Sequence, residues 1–340
     1  MKKYNVAVVG VGAVGIEMLR VLKQRNFPVG NLKVLARSAR EIDVDGVKYK
    51  VEEIRPQAFE GIDIALFAGT EGEKGAAVTY APEAIKRGAV VIDNGADFRM
   101  DPKVPLVVPE VNASDVKKHK GIIANPNCST IQMVVALEPI HKKAGIKRVV
   151  VTTLQASSGA GKGAVQQRKE ESKLICSGGF DNIHVKTENK SMPQQLAYNV
   201  FPHIGSFVED DYTNEEWKLV KETRKIMHDD KIKISGTTVR VPVRTGHSES
   251  VYIETKKPLS PEKAREILSK APGVIVIDDP KKNLYPMPKD AEGRDETFVG
   301  RIRRDPFVKN GLWLWVVADN LRKGAATNAV QIAEELIKNY

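Results

Sequence analysis

Cysteine is nearly absent: Cys128 and Cys176 are the only two in 340 residues. That is too few for a disulfide scaffold, and a reducing cytoplasm suits such usage best. No apolar run is long enough to cross a bilayer. The opening Met1-Lys2-Lys3 before Val6-Ala7-Val8-Val9 has the basic start of a signal peptide. Its apolar stretch is short, however, and leads into a glycine turn and then Glu17 and Arg20 without a clean cleavage site, so it reads as a first strand. Repeats, low-complexity tracts and an obvious linker are all missing. Acidic residues fall short of basic ones, 43 against 53, for a net charge of +10. The densest basic runs are Lys117, Lys118 and Lys120, and Arg301, Arg303 and Arg304. Neither is interleaved with aromatics or forms a nucleic-acid motif, so both read as solvated surface, with no nucleic-acid or membrane partner expected. A phosphorylated substrate and a phosphorylated cofactor would also suit the charge.

What is present is a length that exceeds one comfortable core, so two domains are expected. Residues 4–9 (YNVAVV) form an apolar run fit for a buried strand, followed by a periodic stretch over 13–24 that reads as a helix. Strands are expected at 32–37, 62–68 and 89–93, with a helix over 81–87; this alternation argues for a parallel sheet covered by helices. Pro105 to Val108 and Ile122 to Ala124 supply further strands. A long helix runs from Ser129 towards Ala144, with Pro139 expected to bend it or end its regular part. After Gly145 the pattern changes. Strands at 148–154, 237–243, 249–255, 274–277, 298–303 and 312–317 suggest a mixed or antiparallel sheet, with helices near 162–175, 214–228 and 261–270. Ser260 is the expected N-cap of the last of these, with Pro261 at its first position. The final helix, about 324–338, is amphipathic and is expected to pack back onto the first domain.

Gly10-Val11-Gly12-Ala13-Val14-Gly15 is a complete G-x-G-x-x-G between a predicted strand and a predicted helix, the context that gives the pattern meaning. Gly10 permits the tight turn, Gly12 lets a pyrophosphate approach the backbone, and Gly15 lets helix and strand pack closely. The anion would sit on the helix N-terminus. The competing reading is a plain glycine turn. Where an NAD enzyme usually carries an acid at the end of the second strand, this chain has Ala36-Arg37-Ser38, with Arg40 nearby. A guanidinium and a hydroxyl suit a 2′-phosphate, so NADP is the expected cofactor unless Arg37 is merely a surface residue.

Asn125-Pro126-Asn127-Cys128-Ser129-Thr130 places Cys128 at the start of the 129–144 helix. A helix N-terminus lowers a thiol pKa and offers N–H groups to an oxyanion. The alternative of a buried inert cysteine is disfavoured by its polar neighbours, whereas Cys176, before Ser177-Gly178-Gly179, reads as inert. Of six histidines, His247 follows a strand whose Arg240 and Arg244 share one face. Pattern alone gives it equal claims as a proton-transfer group and as a structural residue.

Together these pieces resemble the aspartate-semialdehyde dehydrogenase family along nearly the whole chain. The glycine-rich opening departs only at Val11-Gly12, where many members have Thr-Gly. By resemblance, Arg99 in Asp93-Asn94-Gly95-Ala96-Asp97-Phe98-Arg99 binds substrate phosphate, and Asn127-Cys128-Ser129 is the nucleophile motif, with Asn127 beside the substrate. Gln155 orients the substrate, and Ser158-Gly159 and Asn320 contact the cofactor. Glu215 and Lys218 match a helix whose acid meets the substrate amine and whose lysine meets the phosphate. Their i, i+3 spacing puts them on one face, which favours Glu215 over Glu216. Arg240 holds the substrate carboxylate and His247 is the acid–base residue.

The resemblance implies an α/β fold: an N-terminal Rossmann-type dinucleotide-binding domain over 1–127, completed by a C-terminal helix at about 321–340, and an α+β catalytic and dimerisation domain with a mixed sheet over 128–320. This is the glyceraldehyde-phosphate-dehydrogenase-like architecture, assembled as dimers or tetramers. It further implies NADPH-dependent reduction of L-β-aspartyl phosphate through a thioester on Cys128, without a metal, feeding lysine, diaminopimelate, threonine, methionine and isoleucine synthesis. An N-acetyl-glutamyl-phosphate reductase would use similar chemistry, but an acetylated amine has no charge for Glu215 to pair with. A non-catalytic NADP-binding paralogue would have no need of Cys128 and His247. An ATP-binding loop at Gly159-Ala160-Gly161-Lys162-Gly163 fails for want of a hydroxyl residue after the lysine and of the earlier glycine.

Overall fold

Short apolar runs that end in glycine-led turns build the first sheet. β1 (Tyr4–Val9) is buried almost throughout and lies parallel to β2 (Val29–Ala36) and β5 (Ile64–Phe67). The structure is a computed structural model that describes residues 2–69 and 75–338. Between β1 and β2 runs α1 (Ala13–Gln24), as its periodicity predicts. β3 (Arg40–Val44) and β4 (Val47–Glu53) form an antiparallel hairpin on one side of β2, and α2 (Ala76–Lys86), β6 (Val90–Asp93), the short α3 (Pro109–Asn112) and β7 (Ile122–Ala124) follow on the other. Among the described residues the sheet has seven strands in the order β3-β4-β2-β1-β5-β6-β7.

α4 (Cys128–Ala144) leads into the second sheet. That sheet holds β8 (Ile146–Gln155), β9 (Lys233–Arg240), β10 (His247–Thr255), β11 (Val274–Val276), β12 (Thr297–Arg304) and β13 (Gly311–Ala318), in the order β11-β12-β13-β10-β8-β9. Its β8–β9 and β11–β12 pairs are parallel and the rest antiparallel, the mixed character expected from the sequence. Helices α5 (Lys162–Ser177), α6 (Asn214–Met227), α7 (Pro261–Ser269) and the short α8 (Pro288–Ala291) accompany it, and α9 (Thr327–Ile337) closes the fold.

The chain divides into two compact units. One comprises the residues up to Ile131, with Lys225–Met227 and the segment from Gly324 onward; the other comprises Gln132–Arg224 and His228–Lys323. The core of the first unit joins Val6 and Val8 of β1, Met18 and Leu22 of α1 and Ile64 and Leu66 of β5 to Ala329, Val330 and Ala333 of α9. The amphipathic last helix thus returns to the first core. The expected 321–340 span resolves into a wide turn over Arg322–Ala326 and α9, and its last two positions lie outside the described residues.

Three local expectations are corrected. Pro105 to Val108 is not a strand: only Leu106 bridges to Ala124. Pro105 lacks an N–H and Pro109 already starts α3, so the segment is too short and too poor in donors for a ladder. The helix does not end at Pro139: α4 continues to Ala144. Proline removes one hydrogen bond there, while Val135, Ala136, Leu137 and Ile140 are all buried around it, and tertiary packing carries the helix. β10 starts at His247, so the histidine opens a strand instead of trailing one. Ser260 does cap α7, accepting from Lys263 N.

Candidate active site

In the first unit, Gly10 has φ of +100°, the left-handed region that glycine tolerates. A Cβ on Gly15 would stand 1.8 Å from Gly10 O, so only glycine lets α1 pack against the turn. Gly12 is exposed, has nothing within 4 Å of a would-be Cβ, and is the N-cap of α1, with no side-chain cap and no acid in the first turn. Val11 is buried beneath it, while Ala13 and Val14 are half-buried. This helix end, open among the described residues and without an acid in its first turn, fits a pyrophosphate. At the end of β2, Arg37 and Ser38 are exposed, and Arg40 donates to the Ser38 hydroxyl at 3.0 Å. Arg37 and Ser38 supply a guanidinium and a hydroxyl that fit a 2′-phosphate, although Glu53 of β4 pairs with Ala36 beside them.

Arg99 is buried and donates through Nε to Asn125 O at 2.9 Å and through Nη2 to Asn94 O at 2.7 Å. Asn125 and Asn94 are joined side chain to side chain, and Asn328 of α9 donates to Asn125 Oδ1. A relay of asparagines therefore steadies the carbonyls that fix the plane of the guanidinium.

Asn127 is the side-chain cap of α4: its Oδ1 accepts from Ser129 N at 3.0 Å and from Thr130 N at 3.4 Å. Two N–H groups that the sequence offered to an oxyanion are thus committed to the cap. Half-buried Cys128 is the first helical residue, where the α4 dipole acts on its sulfur. Cys176 is exposed at the end of α5.

In the second unit, Gln155 ends β8 and pairs in register with Arg240 at the end of β9. Gln155 donates through Nε2 to Glu215 Oε1 at 3.2 Å, and the other oxygen of Glu215 meets Lys218 Nζ at 3.4 Å. Both Gln155 and Glu215 are buried. Glu216 has a different task. It forms a capping box with Thr213, and its second oxygen accepts from Thr238 N at 3.0 Å. Glu216 secures the start of α6, and Glu215 faces Gln155 and Lys218.

Arg240 donates to Ala156 O at 2.6 Å, and Ala156 N donates to His247 Nδ1 at 3.0 Å. The neutral imidazole therefore carries its proton on Nε2. His247 is fully buried, and Nε2 meets no hydrogen-bond partner among the described residues. Burial first, and then the charge of Arg240, hold its pKa well below the usual histidine value. The ring is an uncharged N–H donor. A Cβ on Gly159 would come within 3.2 Å of its Cε1 and Nε2, so the glycine also keeps room for the ring. Asn320 Oδ1 accepts from Gly246 N at 2.9 Å, and its amide meets Ser158 Oγ at 3.0 Å, locking the loops on either side of His247.

Ala156 was invisible to sequence reasoning because it acts only through its main chain. The Glu216 cap did have a signal, the spacing Thr213-x-x-Glu216.

The class of protein follows from comparison with known families. Residues 5–119 match the semialdehyde dehydrogenase NAD-binding domain and residues 137–323 the semialdehyde dehydrogenase dimerisation domain. Aspartate-semialdehyde dehydrogenase of Aquifex aeolicus is 57% identical over 343 residues, covering 98% of each chain. That of Bacillus subtilis is 50% identical, over 98% of this chain and 97% of its own. The solved structure of aspartate semialdehyde dehydrogenase II from Vibrio cholerae, complexed with ASA, is 42% identical with a TM-score of 0.93 over 100% of both chains. This chain belongs to the aspartate-semialdehyde dehydrogenase family, and it is an oxidoreductase with a nicotinamide-dinucleotide-binding domain and a dimerisation domain. Among the described residues no helix is long and apolar enough to cross a membrane.

Proposed function

We propose that this chain reduces L-β-aspartyl phosphate to L-aspartate-4-semialdehyde and phosphate, that it prefers NADP to NAD, and that it works as a homodimer or homotetramer in the cytoplasm. The observation that carries the substrate choice is the line from buried Gln155 and Glu215 to half-buried Lys218, with Arg240 also buried. The substrate bears an ammonium, a phosphate and a carboxylate. Each needs a countercharge or its desolvation goes uncompensated. Glu215 pairs with the ammonium, Lys218 and Arg99 with the phosphate, and Arg240 grips the carboxylate with its planar fork. An acetylated amine would strand Glu215.

Cys128 attacks the acyl carbon as thiolate; the C–S bond forms, the C–O bond to phosphorus breaks, and phosphate leaves with the electron pair. When bound, the cofactor supplies a hydride to the thioester carbon. The C–S bond then breaks and returns the thiolate to Cys128. Both carbonyl additions place negative charge on one oxygen, and His247 Nε2–H is the donor for it. Gln155 holds the substrate in line, and Asn127 keeps Cys128 at the head of its helix. Ser158, Gly159 and Asn320 line the cofactor's nicotinamide end, Gly10 to Gly15 take its pyrophosphate, and Arg37 and Ser38 take its 2′-phosphate.

The test is phosphate-dependent reduction of NADP with L-aspartate-4-semialdehyde, run beside the N-acetylated glutamate analogue and beside NAD. Turnover that needs phosphate, favours the aspartate compound and favours NADP is expected. Preference for the acetylated aldehyde, or equal use of both cofactors, would sink the corresponding half of the proposal.

A further inference from the structure

One rung deeper in the second sheet lies a polar cluster that this chemistry does not use. Thr153 shares a face of β8 with Gln155, and Glu249 shares a face of β10 with His247, by the two-residue period of a strand. Thr153 and Glu249 are direct partners across the two strands. Gln132 approaches them from α4. All three are fully buried. Both carboxyl oxygens of Glu249, both amide atoms of Gln132 and Thr153 Oγ1 have no hydrogen-bond partner among the described residues. Buried polar atoms are rarely left so, and several gathered in one place are the usual lining of an internal water site. An apolar core would not be built from a glutamate, a glutamine and a threonine, and a charged glutamate would demand a cation.

We propose that Glu249, Gln132 and Thr153 together form an internal water-binding site beneath Gln155 and His247, with Glu249 as its uncharged hydrogen-bonding centre. The surroundings agree from each packed element. β8 contributes a hydroxyl and α4 an amide, while the facing residue on β13 is Val316. Among the described residues no charged side chain acts on the carboxyl. Burial drives its pKa well above the usual carboxylate value, and only the neighbouring Gln132 amide opposes it. A protonated acid has one donor and spare acceptors, as an amide has, so acid, amide and hydroxyl can share water without a net charge. The site makes Glu249 a positioning residue: it fixes the strand that begins with His247 while touching no reacting atom.

An acid whose folded pKa is raised keeps a proton that the unfolded chain releases, so stability falls as pH climbs from the ordinary carboxylate range towards the folded pKa. Glu249→Gln keeps shape and hydrogen bonding but cannot ionise. Glu249→Leu removes the polar centre. Three measurements on the full-length protein decide the matter. A high-resolution crystal structure of the parent should show ordered water within hydrogen-bond distance of Glu249, Gln132 and Thr153. The Tm of Glu249→Gln should fall less steeply than the parent's as pH rises from the ordinary carboxylate range, and its kcat should stay within about twofold, because the variant mimics the uncharged group. Glu249→Leu should lower kcat more than the Gln variant does, with KM for aldehyde little changed. A dry cluster, parallel Tm slopes, or a Glu249→Gln variant as inactive as Glu249→Leu would overturn the proposal. None of these results depends on which aldehyde the enzyme prefers.

Discussion

Helices α1 and α4 both begin just after a parallel strand of the first sheet, and their beginnings are built in opposite ways. α1 starts at exposed Gly12, with no side chain to cap it and no acid in its first turn. α4 starts under Asn127, whose carboxamide oxygen takes the N–H groups of Ser129 and Thr130. The same backbone dipole stands at both ends. Left bare, it offers a surface on which a diffusible anion can settle. Once capped, it is directed onto a single side chain, here the sulfur of Cys128. Helix propensity is beside the point: glycine and asparagine are both acceptable N-caps, and what separates the two ends is whether the cap brings its own oxygen.

The largest expected effect lies at the capped end. Cys128→Ala should fold normally and lose turnover by about a thousandfold or more, as removal of a covalent nucleophile does. Cys176→Ala, at the end of α5, should keep most of it. Steady-state NADPH formation in the two variants checks the contrast, and substantial activity in Cys128→Ala would mean that the head of α4 does not carry the chemistry.

The bare end is tested by giving it what α4 has. Gly12→Asp places a carboxylate on α1 where a Cβ meets nothing within 4 Å and φ is −72°. As an N-cap, aspartate and glycine differ by only a few tenths of a kcal/mol, so stability should hold or rise slightly. Cofactor binding should suffer in the opposite sense. A carboxylate in the place of a phosphate both repels it and occupies its donors, and charge-assisted hydrogen bonds contribute roughly 1.5–3 kcal/mol. The KM for NADP should rise at least about tenfold, with the aldehyde KM moving less. An unchanged cofactor KM would remove the pyrophosphate from this helix end.

Much of this contrast is legible in the sequence. The glycine spacing announced α1, and the Asn-Cys-Ser run at a helix start announced α4, because both signals are local. Elements that depend on distant partners were harder to read. β3 and β4 were overlooked although Asp45-Gly46, with φ of 53° and 79°, is a strong hairpin turn. Their polar alternation at a sheet edge lacks the apolar run that marked β1. The expected strand at Pro105 failed for the reverse reason: its apolar residues are buried, but proline denies them a ladder. In the candidate site, side chains with distinctive chemistry stand out in the sequence, whereas the main chain of Ala156, which holds Arg240 by its carbonyl and His247 by its N–H, carries no letter of its own. Glu249 is visible in the sequence, yet nothing there tells that its strand partner is Thr153 and that no cation among the described residues acts on it.

The smallest expected effect separates two roles for Asn127. The family resemblance puts it beside the substrate, while its hydrogen bonds make it the cap of α4. Asn127→Ala removes the capping oxygen and should cost about 0.5–2 kcal/mol of stability, measurable in urea denaturation. Asn127→Asp keeps an oxygen acceptor at the same place, and its charge suits the helix end, so it should restore most of that loss. The same charge stands next to Cys128, however, and disfavours the thiolate. The aspartate variant should therefore be stable yet reach its full rate only at higher pH than the parent. If both variants are equally destabilised, the cap is not what Asn127 provides. If instead both retain parent stability but lose aldehyde affinity, its amide serves the substrate, and the two helix ends are less different than their geometry makes them.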